Sequence, residues 1–327
     1  MYTTGTFPAR DAGLALRSPR WGYPVEDARE VVFSSSGDRT RANGLQAPPE
    51  RPSIASLLTS VIGSLYSALF PSDCRICSTP LSTISRLPVC ENCVECIEPM
   101  PDKRCRACGD LIPAGFQATG ELCPDCAFEA PPFERAAAYG AYTNGLRELI
   151  HLLKYERIKP AAKVLGRMLA EAIETLELSG EVVVIPVPLH ASKLGQRGFN
   201  QSELIASESL RHLKTYRNAE FAMELAAMKR RRDTPSQVGM TREARAENLR
   251  GAFGITSRAV VRDKQILLVD DVLTTGATVS ECTRVLRRAG AKSVWVATVA
   301  RAVRVTSTFA VGEGNSQEVP LAIAAHP

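Results

Sequence analysis

The stretch Ile266-Leu267-Leu268-Val269-Asp270-Asp271-Val272-Leu273-Thr274-Thr275-Gly276-Ala277-Thr278 decides how this chain is read. Four consecutive apolar residues, Ile266 to Val269, suit a strand buried on both faces. The small residues around Gly276 let backbone approach a ligand. Three threonine hydroxyls and the free N–H groups of a following helix can donate to an anion. That helix is predicted over Thr278 to Arg288, ended by Gly290, and the strand Ser293 to Val299 returns beside the first. A parallel, right-handed crossover follows, with the loop at a strand's C-terminal end, where open α/β sheets bind ligands.

Two acids immediately before an anion cradle would repel a bare phosphate. They make sense if the ligand carries hydroxyls and a divalent cation on one side and a phosphate on the other. The order of apolar strand, Asp-Asp, two apolar residues and Thr-Thr-Gly-Ala-Thr resembles the 5-phosphoribosyl 1-diphosphate (PRPP) motif of type I phosphoribosyltransferases. The resemblance implies that Asp270 and Asp271 hold ribose hydroxyls and Mg2+, while Thr274, Thr275, Gly276, Ala277 and Thr278 take the 5′-phosphate. Such a loop can also bind PRPP as an effector without transfer chemistry. Replacing both acids by Asn, itself a good turn residue, is expected to remove ligand affinity with little loss of stability.

Upstream, a strand predicted over Val182 to Val187 runs into Pro186-Val187-Pro188-Leu189-His190 and on to Gln196-Arg197-Gly198-Phe199-Asn200-Gln201. Backbone at Pro188, Leu189 and His190 with the Arg197 guanidinium is the expected diphosphate site, and Arg197 joins Asp270 and Asp271 as a candidate catalytic residue. The alternative is a rigid strand exit followed by a helix cap.

Cysteine is the compositional outlier, with nine of ten between Cys74 and Cys126. Cys74/Cys77 with Cys90/Cys93, and Cys105/Cys108 with Cys123/Cys126, are Cys-x-x-Cys pairs able to close two tetrahedral four-thiolate sites, each with a structural Zn2+. Cys96 also forms Cys93-x-x-Cys96, so the ligand set of the first site stays open, with Cys90/Cys93 preferred for spacing. No leading segment has the pattern of a secretory signal, which favours metal ligands over disulfides and a cytoplasmic setting.

Across 327 residues, 45% hydrophobic and 23% charged residues exclude a fibrous, wholly disordered or polytopic membrane protein, and a net charge of +5 permits nucleic acid without demanding it. Residues 1–52 read as a disordered extension. Residues 53–70, uncharged but with Ile54, Leu57, Leu58, Val61, Ile62 and Leu65 at helical spacing, read as an amphipathic docking helix rather than a membrane span. Residues 71–130 form the cysteine module, 136–303 the α/β domain and 304–327 a tail. Further helices are predicted over 145–155, 161–176 and 201–213. The basic stretch Lys229 to Arg250, with Arg242 and Arg245, fits a loop closing over diphosphate, a strip for DNA phosphates or a solvated face. Cys282 reads as a small packed apolar residue.

Taken together, the cysteine pairs, Leu152-Leu153-Lys154-Tyr155, Pro186-Val187-Pro188, Arg197-Gly198-Phe199-Asn200-Gln201 and the Asp-Asp loop resemble the ComF/GntX family over residues 54 to about 301. The resemblance implies a double zinc ribbon joined to a phosphoribosyltransferase-type domain, linked in some bacteria to DNA uptake. Transfer of a phosphoribosyl group from Mg-PRPP to a nitrogen acceptor is the expected activity. The rival is a DNA-uptake accessory that binds single-stranded DNA, with PRPP regulatory or vestigial. At 6% aromatic residues, an extensive base-stacking platform is not expected.

Overall fold

The computed structural model describes residues 73–81, 86–113, 116, 121–215, 218–234 and 242–303, without the side chains at 242, 243, 245 and 246. The expected extension (1–52), docking helix (53–70) and tail (304–327), and the side chains of Arg242 and Arg245, lie outside the described residues.

A five-stranded parallel sheet carries the C-terminal part, in the order β1-β7-β6-β2-β3. Its strands are β1 (Ala136–Ala141), β2 (Gly180–Pro186), β3 (Ala219–Met223), β6 (Gln265–Leu273) and β7 (Ser293–Arg301). A separate antiparallel pair joins β4 (Met228–Arg230) to β5 (Phe253–Ile255). The apolar run of β6 sits between β2 and β7, with Leu268 opposite both Ile185 and Val296. Helices cover both faces, so a central strand has no solvated side and reads as continuously apolar.

Side-chain alternation along β6 divides the core. Leu267 and Val269 pack with Leu149 and Leu153 of α3 (Asn144–Lys154), Leu165 and Leu169 of α4 (Ala161–Glu174) and Ile205 of α6 (Gln201–His212). Ile266 and Leu268 face the other way, onto Val279, Cys282 and Leu286 of α8 (Ala277–Arg288) and Phe253 of β5. Helix α3 presents Leu146, Leu149, Ile150 and Leu153 at helical spacing, all buried, and each contributes about 1.5–3 kcal/mol through burial.

The cysteine module holds the two short helices α1 (Glu91–Glu95) and α2 (Pro124–Phe128). It also closes the free edge of β1: Ala136 N–H donates to Ala107 O at 2.8 Å, and Met100 N–H to Tyr139 O at 2.5 Å. An otherwise unpaired edge is thereby protected. Gly109 makes this approach possible, since it adopts φ +70° and a Cβ there would lie 3.0 Å from Ala136 O.

Four differences from the sequence reading bear on function. Strand β6 does not stop at Val269 but runs through both acids, because β7 continues to pair with it at Asp270↔Thr298 and Leu273↔Arg301. Strands β1 and β3 were not anticipated. A short helix α5 (Ala191–Arg197) fills the presumed loop after β2. The basic stretch, among its described residues, carries the end of β4 and the helix α7 (Arg242–Leu249).

Candidate anion-binding site and four-cysteine clusters

Strand alternation sends the two acids to opposite faces at the mouth of the sheet. Asp271 is buried, and its Oδ1 lies 2.8 Å from Lys154 Nζ at the end of α3. Burial works against the Lys154 ammonium, but the Asp271 and Asp270 carboxylates overcome this and hold its pKa above the ordinary lysine value. Asp271 Oδ2 is buried without a hydrogen-bond partner among the described residues, an orphan that a ligand hydroxyl or a hydrated cation would satisfy. The expectation of a freely replaceable pair of acids is thus corrected: Asp271 has a structural partner.

Asp270 Oδ1 accepts from Ser202 Oγ at 3.0 Å and from the Asp271 N–H at 2.9 Å. Burial and the neighbouring Asp271 charge push its pKa up to about 7, against the opposing pull of Lys154 and these two donors. Ser202 is fully buried at the start of α6, where Asn200 accepts from its N–H at 3.1 Å. Asn200 also donates to Val187 O at 3.1 Å. Most of the Arg197–Gln201 motif therefore builds the turn: Gly198 ends α5 at φ +81°, Phe199 is buried, and Asn200 caps α6.

Beyond β6, Thr274 to Thr278 turn around the start of α8. Gly276 sits at φ +80° as its N-cap, a conformation that penalises any residue with a Cβ. Ser280 N–H returns to Gly276 O at 2.8 Å, and Ala277 N–H points to Thr275 Oγ1 at 3.4 Å. The backbone N–H groups of this turn and the threonine hydroxyls form the donor set that a phosphate requires.

Opposite lies the exit of β2, held to β6 by Val187 N–H to Val269 O at 2.8 Å. Pro188, Leu189 and His190 follow. His190 caps α5, its Nδ1 2.9 Å from Ser192 Oγ, which donates to Asp233 Oδ2 at 2.6 Å. Arg197 donates to Gln201 Oε1 and lies over the Tyr155 ring at 5.6 Å, so it stands at the far end of α5 from His190. Two cations join this side: Lys193, which sequence reasoning missed, and Arg230 of the basic stretch. Burial together with the nearby Arg230 and Arg197 charges holds Lys193 below the ordinary lysine value, despite the opposing Asp233. Arg230 lies 5.5 Å above the Phe253 ring, donates to Thr234 Oγ1, and keeps a buried Nε without a partner among the described residues.

The cysteines form two groups, Cys74, Cys77, Cys90, Cys93 and Cys105, Cys108, Cys123, Cys126, with the sulfur atoms of each within 4.8 Å of one another. Sulfur separations of 3.7 Å for Cys77–Cys90 and Cys108–Cys123 match the edge of a tetrahedron with metal–sulfur bonds of about 2.3 Å, far from the roughly 2.05 Å of a disulfide. Cys96 is exposed and outside both groups. A third grouping, Glu148, His151 and Glu156, lies against Arg75, which pairs with both glutamates.

Comparison with known proteins agrees with this architecture. A family model described as the phosphoribosyl transferase domain matches residues 151–307. The DNA utilization protein YhgH of Escherichia coli K12 is 32% identical over 231 residues, covering 69% of this chain and 95% of that protein. The chain belongs to the ComF/GntX family. Competence protein F of Haemophilus influenzae is 29% identical over 224 residues, covering 67% of this ComF-family chain and 93% of the relative. The YhgH protein of Salmonella typhi is 30% identical over 230 residues.

Proposed function

We propose that this ComF-family protein binds Mg-PRPP at the mouth of the sheet and transfers its phosphoribosyl group to a nitrogen acceptor. One observation carries the reading: a buried, partly unsatisfied pair of acids at the end of β6 leads directly into a donor-lined turn at the start of α8. The turn Thr274–Thr278 takes the 5′-phosphate, Asp270 and Asp271 accept from the ribose hydroxyls, and the backbone of Pro188–His190 meets the diphosphate, with the Lys193 and Arg230 charges beside Asp233 on that side.

In the reaction the bond from the anomeric carbon to the diphosphate oxygen breaks through an oxocarbenium-like state, and a bond to the acceptor nitrogen forms. Bound Mg2+ supplies neutralisation of the leaving diphosphate, and the acids with the orphaned Asp271 oxygen are the residues that would hold it. Asp270 must shed its proton to offer a charged acceptor to a hydroxyl, and Lys154 pairs with Asp271 beside it. The two four-cysteine clusters hold structural Zn2+, whose binding contributes folding energy to a module too small for a large core. Reduced thiols of this kind fit a cytoplasmic protein, and among the described residues no helix is long and apolar enough to cross a membrane.

The names of the relatives support a second reading, a DNA-uptake accessory that binds single-stranded DNA and uses PRPP as an effector. The run Lys229–Arg232 is only partly available for phosphates, since Arg230 is turned onto Phe253 and Arg232 donates to the carbonyls of Asn248 and Arg250. Following diphosphate release with Mg-PRPP and a panel of amine and nucleobase acceptors tests transfer directly. Release that depends on one acceptor supports it. PRPP binding with no release for any acceptor favours the effector reading.

A further inference from the structure

One side chain joins the second four-cysteine cluster to the proposed phosphate turn. Arg301 ends β7, is 6% exposed, and donates from Nη1 to Thr274 O at 3.2 Å, the carbonyl that opens the turn. Its Nη2 donates to Asp110 Oδ2 at 3.0 Å and lies 3.7 Å from Cys108 Sγ. Asp110 is in turn fixed within the knuckle, where its carbonyl accepts from Cys105 N–H at 2.7 Å and its Oδ1 from Leu111 N–H at 3.0 Å. Backbone bonds hold Arg301 rigidly, with Tyr142 N–H to Arg301 O at 2.7 Å and Ala302 N–H to Leu273 O at 2.9 Å. Between cluster and turn is a cavity of about 200 Å3, lined by Cys108 and Cys126 on one side and Thr275, Gly276 and Ala277 on the other, with Arg301 in its wall. The guanidinium reaches along this wall, bonded to the knuckle at one arm and to the turn at the other. The first cluster bonds within its own module, Cys77 Sγ to Thr79 Oγ1 at 3.2 Å and Cys90 N–H to Cys74 Sγ at 3.4 Å.

We propose that Arg301 is a positioning residue through which metal in the Cys105–Cys126 cluster sets the turn Thr274–Thr278 in its phosphate-binding form. Metal at that cluster orders the Cys108–Asp110 knuckle, which orients one arm of the guanidinium, and the other arm fixes the Thr274 carbonyl outward so that the following N–H groups converge. Binding of a phosphorylated ligand and retention of that one metal ion are therefore positively coupled, and the coupling is reciprocal. The first cluster is not part of the link. This rests on the turn being the PRPP phosphate site proposed above.

The test uses the full chain loaded with zinc, as wild type, Arg301→Lys, Arg301→Met and Asp110→Asn. Lysine keeps the charge but cannot bridge two acceptors as a planar fork does. Asp110→Asn breaks the ion pair at the knuckle while leaving Arg301 on Thr274, and so remains informative if Arg301→Met does not fold. Zinc loss to a zinc-selective chromogenic chelator is followed with and without saturating Mg-PRPP, and PRPP affinity is measured by calorimetry. In the wild type, Mg-PRPP should tighten one of the two zinc ions about tenfold and leave the other unchanged. In the variants both ions should still bind, the ligand should alter neither, and PRPP affinity should fall by the same factor. Wild type that binds PRPP without altering either zinc, or variants that keep the coupling, would overturn the role of Arg301. Wild type that binds no PRPP would instead overturn the reading of the turn itself.

Discussion

At the residue scale, Asp270 makes the site sensitive to pH. Its folded pKa of about 7 against an ordinary 3.8 means that the folded, ligand-free protein holds a proton that the unfolded chain has lost. Stability should therefore fall as pH rises from about 4 to about 7 through this group, and Asp270→Asn should flatten that slope in urea titrations at several pH values. Ligand binding has the opposite sign: it needs the carboxylate, so Mg-PRPP affinity should weaken as pH drops below about 7, with a proton released on binding. Calorimetry at pH 6.5 in buffers of different ionisation enthalpy reads that proton. A heat independent of buffer would contradict the assignment. Lys154 and Asp271 behave differently, as a buried pair. Removing one partner, in Lys154→Met or Asp271→Asn, should destabilise by about 3 kcal/mol, whereas an apolar double replacement should recover much of the loss. Chemical denaturation of both single variants and the double variant decides this. None of these partnerships was legible in the sequence. Ser202 and Asp270 are 68 positions apart and Arg301 and Asp110 are 191 apart, and only the folded topology brings them together.

At the element scale, the β6–α8–β7 unit was legible because each part carries its own signal: an unbroken apolar run, a glycine-marked turn and an amphipathic helix. Elements with weak local signals were missed. Strand β1 is Ala-Ala-Ala-Tyr-Gly-Ala, a composition without β-branched residues, and it is a strand because β7 and the cysteine module pair with its two edges. Strand β3 is an edge strand with alternating exposure, and α5 buries none of its residues, so neither shows the pattern of a core element. The turn before α8 offers a test at this scale. Gly276→Ala meets no close atoms, Leu273 Cδ1 being 3.9 Å away, so only the left-handed backbone resists it. The variant should lose about 1–2 kcal/mol of stability and, if the turn relaxes instead, PRPP affinity. Thermal denaturation and ligand titration of the same preparation separate the two outcomes, and no change in either would remove the turn from the site.

At the scale of the whole molecule, the cysteine module and the sheet depend on one another through the edge of β1 and through Arg301. Elemental analysis of protein purified without chelator should find two zinc ions per chain, and their removal should uncover the β1 edge now closed by Ala107 and Met100. Metal-free protein should consequently self-associate on size exclusion, and return of zinc should reverse this. A monomeric, fully folded apo-protein would contradict it. Spacing favoured Cys90/Cys93 over Cys93/Cys96, as the first cluster has it, but the way the module docks was not readable, because Gly109 and Met100 carry no motif that points to β1.

The central claim, that the end of β6 and the start of α8 form a PRPP site, is tested most directly by calorimetric titration of PRPP with Mg2+ into wild type and Asp270→Asn. Asp270 is chosen because Asp271 also holds Lys154 and its replacement would mix stability with binding. Loss of charge-assisted hydrogen bonds to the ribose should cost about 3 kcal/mol, roughly a hundredfold in affinity. We expect saturable binding to the wild type and a Kd raised by about that factor in the variant. No binding to the wild type, or equal affinity in both proteins, would contradict the account.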